Sequence, residues 1–111
     1  MKIKTTEKYE AVVLVLKGNV MGGDDTKEFN GVLHKIIDEG KTRVVIDLGG
    51  VKFMNSSGLG MLIGGLTTMK KAEGHLKLAN VTEKIESLLI ITKLIKIFES
   101  FESVDEAVKS F

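Results

Sequence analysis

The chain has 111 residues, with 16 basic against 15 acidic side chains and a formal net charge of +1. That size suits one globular domain, residues 1–111, and the near-neutral balance gives no general attraction to nucleic acid or to an anionic membrane. Cysteine is absent, which excludes a disulfide framework, a thiolate metal site and a cysteine nucleophile.

Proline is absent as well, so the turns rely on Gly, Asn, Asp and Ser. The first ten residues, MKIKTTEKYE, are polar and alternating and hold no apolar signal core. Lys2 to Thr6 alternates as a strand does, and Glu7-Lys8 reads as a tight turn. Tyr9 to Leu16 is rich in β-branched and aliphatic residues and predicts a second strand paired with the first. Gly18 to Gly23 reads as a loop.

Asp24 or Asp25 can cap the next helix, with Glu28 three residues beyond Asp25. Phe29, Val32, Leu33, Ile36 and Ile37 then give one apolar face of a helix ending at Gly40. Gly31 inside it marks a close contact. Arg43 to Leu48 is a short, nearly continuous apolar run that suits a central strand covered on both faces.

Leu59, Leu62, Ile63, Leu66 and Met69 repeat with helical spacing, and Gly74 ends that helix. The longest weakly polar run, Gly58 to Met69, is too short to span a bilayer, so the chain is expected to be soluble and cytoplasmic. Leu76 to Ala79 is a further strand. Thr82 can cap a helix running to about Ile91, with Ile85, Leu88 and Leu89 facing inward. Ile97-Phe98 reads as a short last strand. Ser103-Val104-Asp105-Glu106 is a capping box, and Val104, Ala107, Val108 and Phe111 form one stripe of a last helix. Strands and helices alternate from Tyr9 onward, which predicts parallel strands joined by helical crossovers.

The segment between the central strand and the following helix carries the chemistry. A strand runs into a short turn, and Ser56-Ser57-Gly58 opens a helix. A serine there stands beside free backbone N–H groups at the positive end of a helix. Two roles fit it: a phosphoacceptor, because the helix end tolerates added negative charge, or a plain helix cap.

Ile46-Asp47-Leu48, Val51, Phe53-Met54 and Ser56-Ser57-Gly58-Leu59-Gly60 together resemble the signature of the STAS domain. More narrowly, they resemble that of the free-standing anti-sigma factor antagonists of bacterial partner-switching systems. The resemblance covers essentially the whole chain. It implies an α/β fold with a mixed, mostly parallel sheet of about five strands, the first antiparallel, and about four helices.

It also implies a binding module, not an enzyme, with no cofactor. The unphosphorylated form binds an anti-sigma factor serine kinase, the kinase phosphorylates Ser56 and the complex separates. A serine phosphatase then restores the free form. By the same resemblance Ser56 is the phosphoacceptor, with Ser57 the second choice. The partner-binding surface is expected to include Gly22, Gly23, Asp24, Asn55, Ser56, Ser57, Gly58, Leu59 and Gly60.

Two residues depart from the family pattern. Asn55 stands where most relatives have Asp, which keeps the capping geometry and loses the charge. Met21 stands where relatives commonly have another Asp, and the carboxylates follow at Asp24 and Asp25. The Gly22–Asp25 loop reads equally as part of a partner-facing rim or as an ordinary glycine loop. A non-switching scaffold without kinase dependence is the alternative function.

Other chemistries find less support. Gly58, Gly60 and Gly64 do not make a dinucleotide turn, because Asn80 occupies the place of the expected acidic residue. His34 and His75 stand alone, without metal spacing. Asp47 at the end of the central strand suits a turn or capping role, and no Gly-x-Ser-x-Gly nucleophile elbow exists.

Overall fold

The computed structural model describes residues Met1–Phe111. Strand β1 (Lys2–Lys8) pairs antiparallel with β2 (Ala11–Val20). Helix α1 (Asp24–Asp38), β3 (Arg43–Met54), α2 (Ser56–Lys71), β4 (His75–Ala79), α3 (Glu83–Ile91), β5 (Ser100–Phe101) and α4 (Val104–Lys109) follow. The sheet order is β1-β2-β3-β4-β5, and every neighbour after the first pair is parallel.

Sequence order equals spatial order from β2 to β5. Crossovers of one hand between such strands place their helices on one face. Accordingly Phe29, Leu33, Leu62, Met69, Ile85 and Leu89 from α1, α2 and α3 pack on the same strand side chains, among them Leu14, Ile46 and Leu78. The alternate residues Ala11, Val13, Val45 and Ala79 face the other way, where Ala107 and Val108 of α4 cover them. Both faces of β3 are thus buried near its start, as its continuous apolar run predicts.

Several boundaries differ from the sequence reading. The first hairpin turns at Tyr9-Glu10, not Glu7-Lys8, because the ladder runs on to the Lys8↔Ala11 pair. Both turn residues take positive φ, 50° and 67°, the geometry of a two-residue hairpin turn usually made by Asn-Gly. The expected loop over Gly18–Gly23 shrinks, since β2 continues to Val20 with register shifts near Lys17 and Gly18.

β3 likewise continues through Gly49-Gly50 to Met54. The last strand is Ser100–Phe101. Phe98 is drawn into the core at 5% exposure, and Ile97 lies in a turn before it. A side chain at Gly31 would meet nothing within 4 Å, so that glycine marks no close contact.

Helix starts also sort themselves. Ser103 caps α4 by accepting from the Glu106 N–H at 3.1 Å, as the capping box predicts. Thr82 stands at the N-cap of α3 but makes no side-chain cap bond. For α1 the cap position falls to Gly23, not to Asp24 or Asp25. Asp25 instead turns back and accepts from the Met21 N–H at 3.2 Å, and it pairs with the terminal ammonium at 3.6 Å. No helix is long and apolar enough to cross a membrane.

Candidate functional site

The carboxyl ends of β2 and β3 lie side by side, with Asn19 opposite Phe53 and Val20 opposite Met54. In a parallel sheet this edge gathers the loops that precede the helices, and ligands collect there. The β2–α1 loop, Met21 to Gly23, and the β3–α2 turn at Asn55 therefore form one rim.

The start of α2 sits tightly on that rim. Asn55 is its N-cap: its Oδ1 accepts from the Gly58 N–H at 2.8 Å, and its own N–H donates to the Val20 carbonyl at 3.3 Å. Ser56 is consequently the first helical residue, one or two places further in than the sequence suggests, which is at the N-cap or the residue before it. Its N–H and that of Ser57 have no acceptor within the helix, a general property of helix starts. Ser56 and Ser57 are both exposed.

Glycines let the two loops touch. A Cβ on Gly22 would lie 2.7 Å from the Ser57 Cβ, and φ at Gly22 is +81°. Gly22 thus carries both a left-handed backbone and a contact that excludes any side chain. A Cβ on Gly58 would lie 2.1 Å from the Val20 carbonyl oxygen.

The nine residues expected to meet a partner divide accordingly. Gly23, Asp24, Ser56, Ser57 and Gly60 are exposed, and Asn55 is half-buried. Gly22 and Gly58 are buried beneath the rim, and Leu59, at 3% exposure, is a core residue. The helical period explains this correction: Leu59 shares the inward stripe with Leu62 and Leu66. The outward face of α2 reads Ser56, Gly60 and Gly64 at four-residue steps, and side chains at either glycine would meet open space. Gly65, by contrast, admits the Phe29 ring, 2.6 Å from where its Cβ would be.

Asp47 has the turn role expected of it. Its Oδ1 accepts from the Gly49 N–H at 3.0 Å and from Asn80 Nδ2 at 3.1 Å. His34 is exposed, and His75 stands 6.2 Å from the Phe111 ring.

The sequence reading missed the apolar surface beside the rim. Met21 is 46% exposed and Phe53 50%. Phe53 and Met54 line a groove of about 430 Å³ together with Ile85, Leu88 and Ile91 of α3.

A mixed sheet with α1–α3 on one face, α4 on the other and an exposed serine opening α2 defines a small α/β module with a helix-start hydroxyl at the carboxyl edge of its sheet. The STAS domain model matches residues 2–107, and the chain belongs to that family. The anti-sigma-B factor antagonist of Staphylococcus epidermidis is 34% identical over 67 residues, 60% of this chain and 62% of that one. The structure of TM1081 from Thermotoga maritima superposes with a TM-score of 0.86 at 20% identity, covering 97% of this chain and 92% of that one. The Bacillus cell fate determinant SpoIIAA, solved in its phosphorylated form, gives 0.74 at 19% identity, covering 98% of each chain.

Proposed function

We propose that this chain is a cytoplasmic anti-sigma factor antagonist acting by partner switching. In its unphosphorylated form it binds an anti-sigma factor serine kinase through the rim formed by Gly23, Asp24, Asn55, Ser56, Ser57 and Gly60. Phosphorylation of Ser56 releases it, and a serine phosphatase returns it to the binding form. The observation that carries this reading is the Ser56 hydroxyl, exposed at the first helical position on an edge made flat by Gly60 and Gly64.

The energetics favour a switch of partner over a switch of fold. A phosphate on Ser56 brings roughly −1.5 to −2 charges. The start of α2 favours that charge by about 0.3–1 kcal/mol at an exposed position. No acidic side chain occupies the first turn of α2 to oppose it. A partner surface that offers no cation over the same edge would bury the new charge unpaired, at a cost of several kcal/mol.

Docking, not turnover, is the work assigned to this edge. The side chain fixed beside Ser56 is Asn55, whose oxygen is engaged by the Gly58 N–H, and an amide is no general base.

The test is incubation with the cognate kinase and ATP, followed by peptide mass spectrometry and a binding titration. A single phosphate on Ser56, none on Ser56→Ala, and lost binding by Ser56→Asp are expected. Kinase binding by Ser56→Asp as tight as that of the wild type would overturn the proposal. A non-switching scaffold is the second reading, favoured by the neutral Asn55. It predicts partner binding that persists with no phosphate transferred.

A further inference from the structure

The β2–α1 loop runs from Val20, the last residue of β2, to Asp24, the first residue of α1. Both of its ends are tied. The Val20 carbonyl accepts the Asn55 N–H, the Gly22 carbonyl accepts the Asp25 N–H at 3.2 Å, and Asp25 Oδ2 accepts the Met21 N–H at 3.2 Å. The middle of the loop is Gly22-Gly23, the pair with the widest backbone freedom.

Of these two glycines, one touches α2. The three atoms nearest to a Cβ built on Gly22 all belong to Ser57: its Cβ at 2.7 Å, its carbonyl carbon at 3.2 Å and its carbonyl oxygen at 3.3 Å. A Cβ on Gly23 would meet nothing within 4 Å. The contact is therefore made by the carbon and backbone of Ser57, not by its hydroxyl. Ser56, the residue before it, lies roughly 100° round the helix.

We infer that Ser57 is a positioning residue: its Cβ is the stop against which Gly22 rests, and it fixes where Gly23 and Asp24 stand relative to the Ser56 hydroxyl. This rests on the reading of Ser56 as the phosphoacceptor and deepens it, by giving the adjacent serine a different task. A Gly-Gly loop without a stop would have to be ordered by the partner at each encounter. With the stop the ordering is complete on folding, so a partner that grips both loops finds them already in register.

The comparison that tests this is Ser57→Gly, which removes the stop, against Ser57→Ala, which removes only the hydroxyl. In the free protein, nitrogen relaxation should give order parameters at Gly22 and Gly23 near the rigid value of about 0.85 for wild type and Ser57→Ala, and below about 0.6 for Ser57→Gly. With the cognate kinase, Ser57→Gly should raise the dissociation constant and the KM for phosphorylation several-fold and leave kcat unchanged, because Ser56 itself is untouched. Ser57→Ala should restore the wild-type values.

Gly22→Ala attacks the same contact from the other side and should weaken binding more than Ser57→Gly does. Gly40→Ala, at φ +78° with open space around it, measures the backbone strain of such a change on stability, away from the site. Adding Ser57→Gly to Gly22→Ala removes the 2.7 Å conflict, so the double variant should bind better than Gly22→Ala alone, a non-additivity that independent effects would not give. If Gly22→Ala does not fold, the glycine–alanine comparison at position 57 decides alone.

Equal order parameters and equal KM in Ser57→Gly and Ser57→Ala overturn the inference. Ser56→Asp is titrated alongside. Undiminished kinase binding by that variant overturns the partner-switching reading, whereas its release together with a silent Ser57→Gly overturns the positioning role and leaves that reading standing.

Discussion

Gly58 is wedged against Val20: the Cβ that any other residue would carry there falls 2.1 Å from the Val20 carbonyl oxygen. That oxygen also accepts the Asn55 N–H, so it cannot retreat without breaking the bond that seats α2. Helix propensity alone would favour Ala over Gly by about 1 kcal/mol. Overpacking against backbone costs about 1–3 kcal/mol or more, and here the obstacle is not a flexible side-chain tip. Gly58→Ala is therefore expected to destabilise the fold by about 2 kcal/mol. Gly60→Ala, two residues on and open to solvent, is expected to stabilise it by about 0.5–1 kcal/mol. Paired denaturant titrations check both signs.

Asn55 joins the end of the sheet to the start of the helix through its side-chain oxygen and its N–H. Asn55→Ala loses the first of these bonds and should cost about 1 kcal/mol, as loss of a helix cap does. Asn55→Asp keeps the acceptor and adds a charge favourable to the helix start, so its stability should match or exceed that of wild type by about 0.3–1 kcal/mol. Thermal melts at low and high salt separate the cap, which persists in salt, from the charge effect, which fades.

Ser56→Asp places a carboxylate at the first position of α2, where no acidic neighbour in the helix opposes it. The variant should melt within about 1 kcal/mol of wild type and keep the same circular dichroism spectrum. A large loss of stability would show that the hydroxyl supports the fold, and partner release could then not be read as a surface effect.

The alternating order of elements was legible because each signal was local. The Ala11–Leu16 run, the Arg43–Leu48 run and the α2 stripe through Leu62 and Leu66 all lie where periodicity puts them. Tyr9-Glu10 was not legible as a turn, since neither residue favours positive φ and the strand ladder imposes it. The predicted strand ends at Leu48, before Gly49-Gly50. Instead the strand passes through, with Lys17 lying over Gly50, where a Cβ would come within 3.0 Å of its Cγ. In the site, the start of α2 was legible within one or two residues from the Ser-Ser-Gly step. The burial of Leu59 follows from the phase of its own helix. The exposure of Met21, Phe53 and Ile91 does not, because it depends on where α3 stops short of covering the sheet edge.

Lys8 of β1 donates to the Asp105 carboxylate of α4. That hydrogen bond, aided by the ammonium charge, holds the Asp105 carboxyl below its ordinary value of 3.8 and raises Lys8 above 10.5. Because the Asp105 value falls on folding, its contribution is present above 3.8 and lost as pH drops through the folded value. Because the Lys8 value rises, its contribution is present below 10.5 and lost as pH climbs through the folded value. Both groups are solvent-exposed, so the pair is a small, salt-screened term. Asp105→Asn is expected to lower the melting temperature slightly at neutral pH, and the difference should shrink as pH falls through the folded Asp105 value, where the wild type loses the same charge. Melts across pH check this.

Lys77 is the one buried charged residue, and it fastens α4 to the sheet. Its Nζ donates to Ser110 Oγ at 2.7 Å and to the Ser110 carbonyl at 3.2 Å, lies 4.4 Å from the centre of the Phe111 ring, and faces Glu99 at 3.5 Å. Ser110 Oγ in turn donates to the Ala107 carbonyl at 2.6 Å, so Ser110 keeps a partner if the ammonium is removed. Lys77→Met preserves the buried stem between Phe101 and Phe111 and should be nearly neutral, because the Glu99 carboxylate it leaves is solvated and Ser110 keeps its Ala107 partner. Lys77→Ala removes about three buried methylenes and should cost about 2 kcal/mol at roughly 0.8 kcal/mol each. Hydrogen exchange locates the loss: amides of α4 should lose protection in Lys77→Ala, while those of α2 should not. Equal loss in both helices would mean that α4 is part of the global unfolding unit and has no separate fastening.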